Sequence, residues 1–522
     1  MQCSRVPVKS RQKQEFDNRS TTGYPQPTIG AANREEQSLD TYKDDTTTSA
    51  TTKRFPTVHF YDQGFVDVYN QTWLWATDCW KKPSNRSRIA HTYFTHGDGT
   101  TINQFEAILS TFWLVYSNRI FPAGNQLDIF YDQQEANGAI RGEYSEKDGR
   151  PVFSRENPEG VLPPLFSWAE YNIYHKIGNK KRIRDVIPIL EKYWEWLDAT
   201  FKDESGLYSV PLAATTMTNS PRKNMHYPVD FNAQQAMNAL YMAQLGDILN
   251  DKEIAFRYNR LFFSLKTRIN TMMWNDEDGI YYDLDKDQRQ IPVKTVAAFW
   301  TLLAELPNEE RAEKLIGHLK NPETFGTENP FPTLAANDEN FSDRGTGYKG
   351  SVLSPFTFMV IKGLEKHGKY GLARECAIRH LYYILDTLHP EGKQKGNLWE
   401  AYLPHRDGPA QWQGKKEWPR ADLLAYAGLA TVALMIENII GLYVSLPRKT
   451  VDWIVPTLEI MGIEHLSLKR NLITILSNRS GRGWEIRLES EKLYYFTINV
   501  LGKKRKTLPI PSGKCSMLID KL

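Results

Sequence analysis

At 522 residues, 41% hydrophobic and 12% aromatic, the chain is longer than one compact core usually supports, though a helical barrel reaches this size as a single body. Sixty-five basic against 62 acidic residues leave a net charge of +3, too weak a field for a polyanion such as nucleic acid. The four cysteines (Cys3, Cys79, Cys376, Cys515) share no metal-ligand spacing, and no run of about 18 apolar residues offers a membrane span. Residues 1–53 are polar and rich in Thr, Ser, Gln and Asp, so they cannot bury enough apolar surface to offset chain entropy and are expected to be disordered. No secretory apolar run opens the chain, which points to the cytoplasm, or to a secreted or periplasmic site if the N-terminus is incomplete.

From about Phe55 the texture becomes helical. Val66–Trp80 and Gln104–Arg119 place apolar residues at helical spacing, with a Gly/Asp/Thr loop at Thr95–Asn103 between them. Ile183–Phe201, Asp230–Leu249, Ala255–Met273, Val293–Leu306, Ala312–Leu319, Ser354–His367, Gly371–Leu388 and Ala421–Leu442 follow as further helices. The Pro/Asn/Gly-rich stretch from Asn321 to Ser354 is long for a loop inside a compact domain, and such loops are usually functional. Asp276-Glu277-Asp278-Gly279 lacks the spacing and terminal Glu of a calcium loop and is expected to hold no metal. After Pro447 the period changes: Val451–Val455, Ile463–Leu468, Leu472–Ser477, Trp484–Glu489 and Tyr494–Val500 read as short strands. The domain plan is therefore a disordered segment (1–53), a toroid of about six helical hairpins (54–445) and a small β domain (446–522).

Thr215–Arg222 reads Thr-Thr-Met-Thr-Asn-Ser-Pro-Arg, a loop by composition, and Pro221 stops any helix from running through it. The run resembles the Ser-Gly-Met-Asp-Asn-Ser-Pro-Arg signature of inverting glycoside hydrolases related to family 63, the trehalases and the mannosylglycerate hydrolases. Gln104-Phe105-Glu106 stands where that group writes Gln-Trp-Asp, and Pro163–Glu170 is another shared block. Gly347–Pro355 stands at its Gly-Tyr-Trp-Arg-Gly-x-Val-Trp-Pro-Pro, with Lys349 in place of Arg and Leu353 in place of Trp. Asn397–Pro404 is similar to Ile-Trp-Glu-Asn-Tyr-Ala-Pro, and Ala425–Leu429 stands at Gly-Trp-Ser-Gly-Leu.

The resemblance implies a mainly α fold, an (α/α)6 toroid with a small C-terminal β domain. It implies hydrolysis of an α-linked glucoside or mannoside with inversion, a carbohydrate partner, no nucleic acid, no membrane span, no cofactor and no metal. Inversion takes two carboxyl groups, one protonating the leaving oxygen and one activating water, about 6.5–9.5 Å apart to leave room for that water. By resemblance Glu400 is the base. Gln104, Glu106, Asn219, Arg222, Tyr348, Lys349, Trp399 and Tyr402 are the substrate contacts, with Glu400, Glu106, Asn219, Arg222 and Tyr348 expected around one central pocket. The acid's position is occupied by Thr218, whose hydroxyl lies far from the pKa range of a general acid. Three accounts stay open. Another donor serves (Asp230, His226 and Glu106 are the nearest), the leaving group needs no protonation or brings its own acid, or the chain binds a glycan or a protein without cleaving anything. A lyase or epimerase on the same toroid is a further possibility, since fold does not dictate function.

Overall fold

The computed structural model describes residues 55–519 apart from 86, 96–99, 390–395, 417, 456–459, 469–470, 481–482, 493, 501–503 and 511. The disorder expected for residues 1–53 lies outside the described residues.

Among the described residues twelve helices alternate between an outer and an inner layer. The outer ones are α1 (Gln63–Cys79), α3 (Asn125–Asp132), α5 (Lys180–Phe201), α7 (Lys252–Met272), α9 (Glu309–Lys320) and α11 (Tyr370–Leu388). The inner ones are α2 (Gln104–Leu114), α4 (Phe166–Ile177), α6 (Val229–Leu249), α8 (Trp300–Leu303), α10 (Ser354–Lys366) and α12 (Leu424–Gly428), the last continuing through Leu429–Ile440 in wider turns. Sequence chemistry separates the layers. Outer α5 buries Ile183, Val186, Leu190, Tyr193, Trp194 and Leu197 on one stripe and turns Lys181, Arg184, Asp185, Lys192 and Glu195 to solvent. Inner α6 is buried almost all round, including Phe231, Ala236, Met237, Ala243 and Leu245. Side-chain caps start several of them: Asn103 accepts from the Phe105 and Glu106 amides, Asn179 from Arg182, and Asp251 from Glu253 and Ile254.

The inner helices close a ring, α2 packing on α4, α4 on α6, α6 on α8, α8 on α10, α10 on α12, and α12 back on α2. The last contact needs a glycine. A Cβ at Gly428 would sit 2.4 Å from the Trp113 ring, so only a bare backbone lets α12 approach α2 this closely. This is the (α/α)6 toroid.

At the end of the ring where the inner helices finish, a buried ionic cluster fills the bore. Glu437 accepts from Lys176 (3.0 Å) and Lys362 (2.7 Å), and Lys362 also reaches Glu365 (3.3 Å). Lys176 and Lys362 stand near helix C-termini, where the macrodipole favours cations. Burial works against the Glu437 charge, yet Lys176 and Lys362 bring its carboxyl down to about 2. A carboxylate depressed in the folded state adds stability above its ordinary pKa of about 4.3, and that stability drains away as pH falls towards 2. The Glu437→Gln variant should therefore lose on the order of 3 kcal/mol near neutrality, with the gap from wild type narrowing between about pH 4.5 and 2. Urea titrations across that range would show it; a gap independent of pH would sink the assignment.

Two sheets pack beyond the toroid. The five-stranded one runs in the order β1 (Thr57–His59), β12 (Met461–Leu468), β13 (Asn471–Ser480), β14 (Gly483–Ser490) and β17 (Gly513–Ile519). The four-stranded one runs in the order β10 (Leu442–Ser445), β11 (Thr450–Val455), β15 (Tyr494–Val500) and β16 (Lys504–Ile510), with β11 and β15 parallel. Thr57–His59, placed in the toroid by the sequence reading, pairs antiparallel with Gly462–Glu464 of β12. The chain thus stitches its first described strand into its last domain, covering one sheet edge.

Candidate active site

At the opposite end of the ring, the loops that precede the inner helices converge. Glu106 lies in the first turn of α2, where the helix N-terminus favours a negative charge. Glu400 lies on the loop before α12, held on both sides by backbone pairing: Glu400 N–H donates to the Arg420 carbonyl (2.9 Å), and Tyr402 exchanges two bonds with Val352 (2.8 and 2.9 Å). Asp422 ties the same loop, accepting from the Leu398 amide (3.0 Å) and from Asn397 (2.9 Å).

Arg420 joins the two glutamates. Its Nη2 donates to Glu106 Oε1 (2.6 Å) and Glu400 Oε1 (3.0 Å), while its Nε (3.0 Å) and backbone N–H (3.1 Å) both donate to Glu400 Oε2. Burial opposes the guanidinium charge, but Glu106 and Glu400 more than offset it. A third carboxyl stands beside them. Glu143, on β5 (Glu143–Ser145), pairs across to Asn103 on β4 (Thr101–Asn103), and Asn103 Nδ2 donates to Glu143 Oε1 (2.8 Å). Burial pushes Glu143 above the usual carboxylate range; the Asn103 bond works the other way, Glu106 adds to the rise and Arg420 opposes it. A small cleft opens beside Glu106, lined by Asn103, Glu106, Phe94, Thr101 and Ala425.

Tyr348 and Tyr426 close over the carboxylates. Burial, then the charge of Glu400, holds the Tyr348 hydroxyl above its usual range; burial, then Glu106, does the same for Tyr426. Tyr348 is pinned through its backbone: its N–H donates to Asn219 Oδ1 (2.6 Å), and Asn219 Nδ2 donates to the Thr346 carbonyl (3.3 Å). A Cβ at Gly347 would lie 2.3 Å from the Asn219 amide, so the bond between the two loops depends on that glycine. Trp412 and Trp418, both half-buried, pack edge-on to each other (5.6 Å) and against Tyr348 (6.4 and 6.1 Å). Aromatic walls of this kind suit the C–H faces of a sugar ring. Lys349 is half-buried on the same turn as Tyr348, and Trp399 is half-buried beside Glu400.

Three expected substrate contacts are buried inside the protein. Arg222 is fully buried and donates to both carboxylate oxygens of Asp230 (2.8 and 2.8 Å) and of Asp283 (2.7 and 2.7 Å), so it braces the loop from behind. Gln104 is fully buried and donates to the Pro163 carbonyl (3.0 Å). The Tyr402 hydroxyl, also buried, accepts the Trp399 amide (2.9 Å) and shapes the Glu400 loop from within. Of the alternative donors, Asp230 is buried and committed to Arg222, while half-buried His226 faces Ser209 (3.4 Å) and the Tyr227 ring (4.6 Å). Thr218 is exposed, next to Asn219. Asp276 and Asp278 bond Trp274, Tyr282 and Lys294. Among the described residues no group of three His, Cys, Asp or Glu side chains is placed to hold a metal ion.

Thr216 takes the left-handed backbone (φ 66°) at the place where the resembling signature has Gly. A β-branched residue there is strained by about 1–2 kcal/mol. Thr216→Gly should accordingly stabilise the fold by about 1 kcal/mol, after the entropy of the extra glycine is subtracted. A lowered denaturation midpoint would contradict this.

Sequence reasoning missed Arg420, Glu143, Trp412 and Trp418. Arg420 had one usable signal, an Arg directly after Trp418-Pro419 and just before the last inner helix; Glu143 had none, because its importance comes from a two-residue ribbon contact.

A ring of helical hairpins whose inner-helix loops gather carboxylates at one mouth is the architecture of the glycoside hydrolases with a helical barrel. Residues 111–419 match the family model described as the mannosylglycerate hydrolase MGH1-like glycoside hydrolase domain, and residues 441–522 match the trehalase C-terminal domain. The chain belongs to the MGH1-like glycoside hydrolase family. A protein of Borreliella burgdorferi, described as uncharacterized, is 50% identical over 473 residues, covering 90% of this chain and 99% of its own. Among solved structures, a GH63 mannosylglycerate hydrolase from Thermus thermophilus in complex with glucose is similar at a TM-score of 0.54 and 18% identity, over 70% of this chain and 98% of that one. A sialidase structure reaches 0.66 at 15% identity over 87% of this chain, which spans 42% of that structure's length. A neutral trehalase from Saccharomyces cerevisiae gives 0.50 at 14% identity, over 65% and 74% of the two chains. At these identities the solved structures speak for the fold alone.

Proposed function

We propose that the protein hydrolyses an α-linked glucoside or mannoside with inversion, and that Glu400 is the base that activates water. The observation that carries this is the Glu400 carboxylate itself. It is 4% exposed; among the described residues Oε2 takes two donors from Arg420 and Oε1 takes one. A carboxylate oxygen has two acceptor sites, so Oε1 keeps one for a water. In this reading Glu106, tethered by the same guanidinium, takes sugar hydroxyls, and the half-buried Trp412 and Trp418 stack on the ring. Mannosylglycerate and trehalose are the first candidate substrates, because the family models carry those names.

The test is direct. The full chain is incubated with a panel of α-glucosides and α-mannosides, including mannosylglycerate and trehalose, and proton NMR follows the released sugar. The β anomer should form first; first release of the α anomer would overturn inversion, and no release across the panel would overturn hydrolysis. A second reading, carbohydrate binding without cleavage, is favoured by Thr218 at the acid's position. Binding of those same sugars by calorimetry, with no turnover, would establish it.

A further inference from the structure

We propose that Glu143 is the proton donor of this site, taking the role that Thr218 cannot fill. The inference rests on the hydrolase reading above and adds a residue to it. Glu106 and Glu400 share the Arg420 guanidinium, and Glu143 stands beside them, paired with Asn103 three positions before Glu106. Glu106 and Glu400 are salt-bridged to Arg420, whereas among the described residues Glu143 makes no ion pair. The polar partner it has is the Asn103 amide, and an amide N–H can bond a carboxyl oxygen in either protonation state. The charged groups acting on Glu143 are Glu106 from α2 and Arg420 from the loop before α12; burial and Glu106 favour its protonated form over the opposing Asn103 and Arg420. A pair of carboxyls whose surroundings separate their proton affinities is how acid and base roles are divided in one site.

The place of Glu143 in the ring fits that division. β4 runs directly into α2, and β5, which follows α3 in chain order, pairs Glu143 with Asn103 at the start of that helix. Asn103, which bonds Glu143, also caps the helix turn that carries Glu106, and Glu106 shares Arg420 with Glu400, so the three carboxyls belong to one corner of the ring. In the reaction the Glu143 O–H gives its proton to the glycosidic oxygen as the C1–O bond breaks and its electron pair goes to that oxygen. Water attacks C1 from the opposite face and loses a proton to Glu400. The products are the free sugar and a neutral alcohol; Glu143 is left ionised, Glu400 protonated, and solvent restores both.

The test compares two substrates that share one sugar, an α-linked disaccharide and the α-glycosyl fluoride, whose leaving group needs no proton. Glu143→Gln should lower kcat on the disaccharide by about 10²–10⁴-fold and leave the fluoride nearly untouched. Glu143→Asp should lie between, and adding Thr218→Asp to Glu143→Gln should restore disaccharide turnover. In wild type the fall of kcat/KM at high pH should appear with the disaccharide and be absent with the fluoride. Equal losses on both substrates would make Glu143 a structural residue and overturn the proposal, as would no loss on either. Wild type that cleaves the fluoride but not the disaccharide would also overturn it while leaving a hydrolase of activated donors standing. If neither substrate reacts, the hydrolase reading itself fails.

Discussion

Glu400→Gln is expected to lower turnover of any α-linked substrate by about 10²–10⁴-fold, the usual contribution of a positioned general base, with little change in KM. The amide is isosteric, so the loop and the packing around it should persist, but it cannot take a proton from water. Arg420 keeps Glu106 as a partner in the variant, which limits the damage to the site's charge balance. The loss should be the same in wild type and in a Thr218→Asp background, because base and acid act on different atoms of one step. It should also be the same on the disaccharide and the glycosyl fluoride, since both need an activated water. That symmetry separates Glu400 from Glu143, whose loss should be seen with the disaccharide alone. Turnover by Glu400→Gln within tenfold of wild type on both substrates would mean that another group activates the water.

The parts of this protein that follow from local rules could be read in the sequence. Inner and outer helices differ in whether apolar residues ring the helix or stripe it, and that difference is visible residue by residue in α5 and α6. Four strands of the two sheets escaped that reading, β1, β10, β16 and β17. β16 carries Lys504, Lys506 and Pro509, which argue against a central strand; it is an edge strand, where charges and Pro are tolerated. Site residues supplied by motif resemblance divided along the same line. Glu106 and Glu400 share Arg420, and Asn219 holds the Tyr348 backbone. Gln104, Arg222 and Tyr402 belong to equally convincing motifs, yet all three are buried and bond inward, Gln104 through Nε2 to Pro163, Arg222 to Asp230 and Asp283, and the Tyr402 hydroxyl to Trp399. A motif preserves the scaffold behind a site as faithfully as the site itself, and only the geometry tells the two apart. Arg420 and Glu143 were illegible for the converse reason: each acts through partners distant in sequence, with 314 positions separating Arg420 from Glu106.

The Arg222 network should dominate the stability of the loop that carries Thr218. Arg222→Met fills a similar volume but leaves Asp230 and Asp283, 2% and 3% exposed at their side chains, facing each other without a cation. Removing one partner of a buried ion pair typically costs about 3–5 kcal/mol, and here a single change orphans two charges, so the upper part of that range is expected. Part of the charge on each carboxylate would still be met, by the Val229 amide for Asp283 (2.8 Å) and the Phe231 amide for Asp230 (3.0 Å). Asp283→Asn should cost less, because Arg222 keeps Asp230 and the neutral amide leaves no orphaned charge. In the Arg222→Met, Asp283→Asn double variant the two losses should add to less than their sum, since the second change removes one of the charges that the first one strands. Urea denaturation of the four proteins measures this. A loss below about 1 kcal/mol for Arg222→Met would place the network among interactions worth little, as exposed ion pairs are. The same variant reports on function: the loop from Thr215 to Arg222 loses its anchor, Asn219 loses its fixed approach to Tyr348, and turnover restored by Thr218→Asp should fall with it, even at temperatures where the rest of the toroid stays folded.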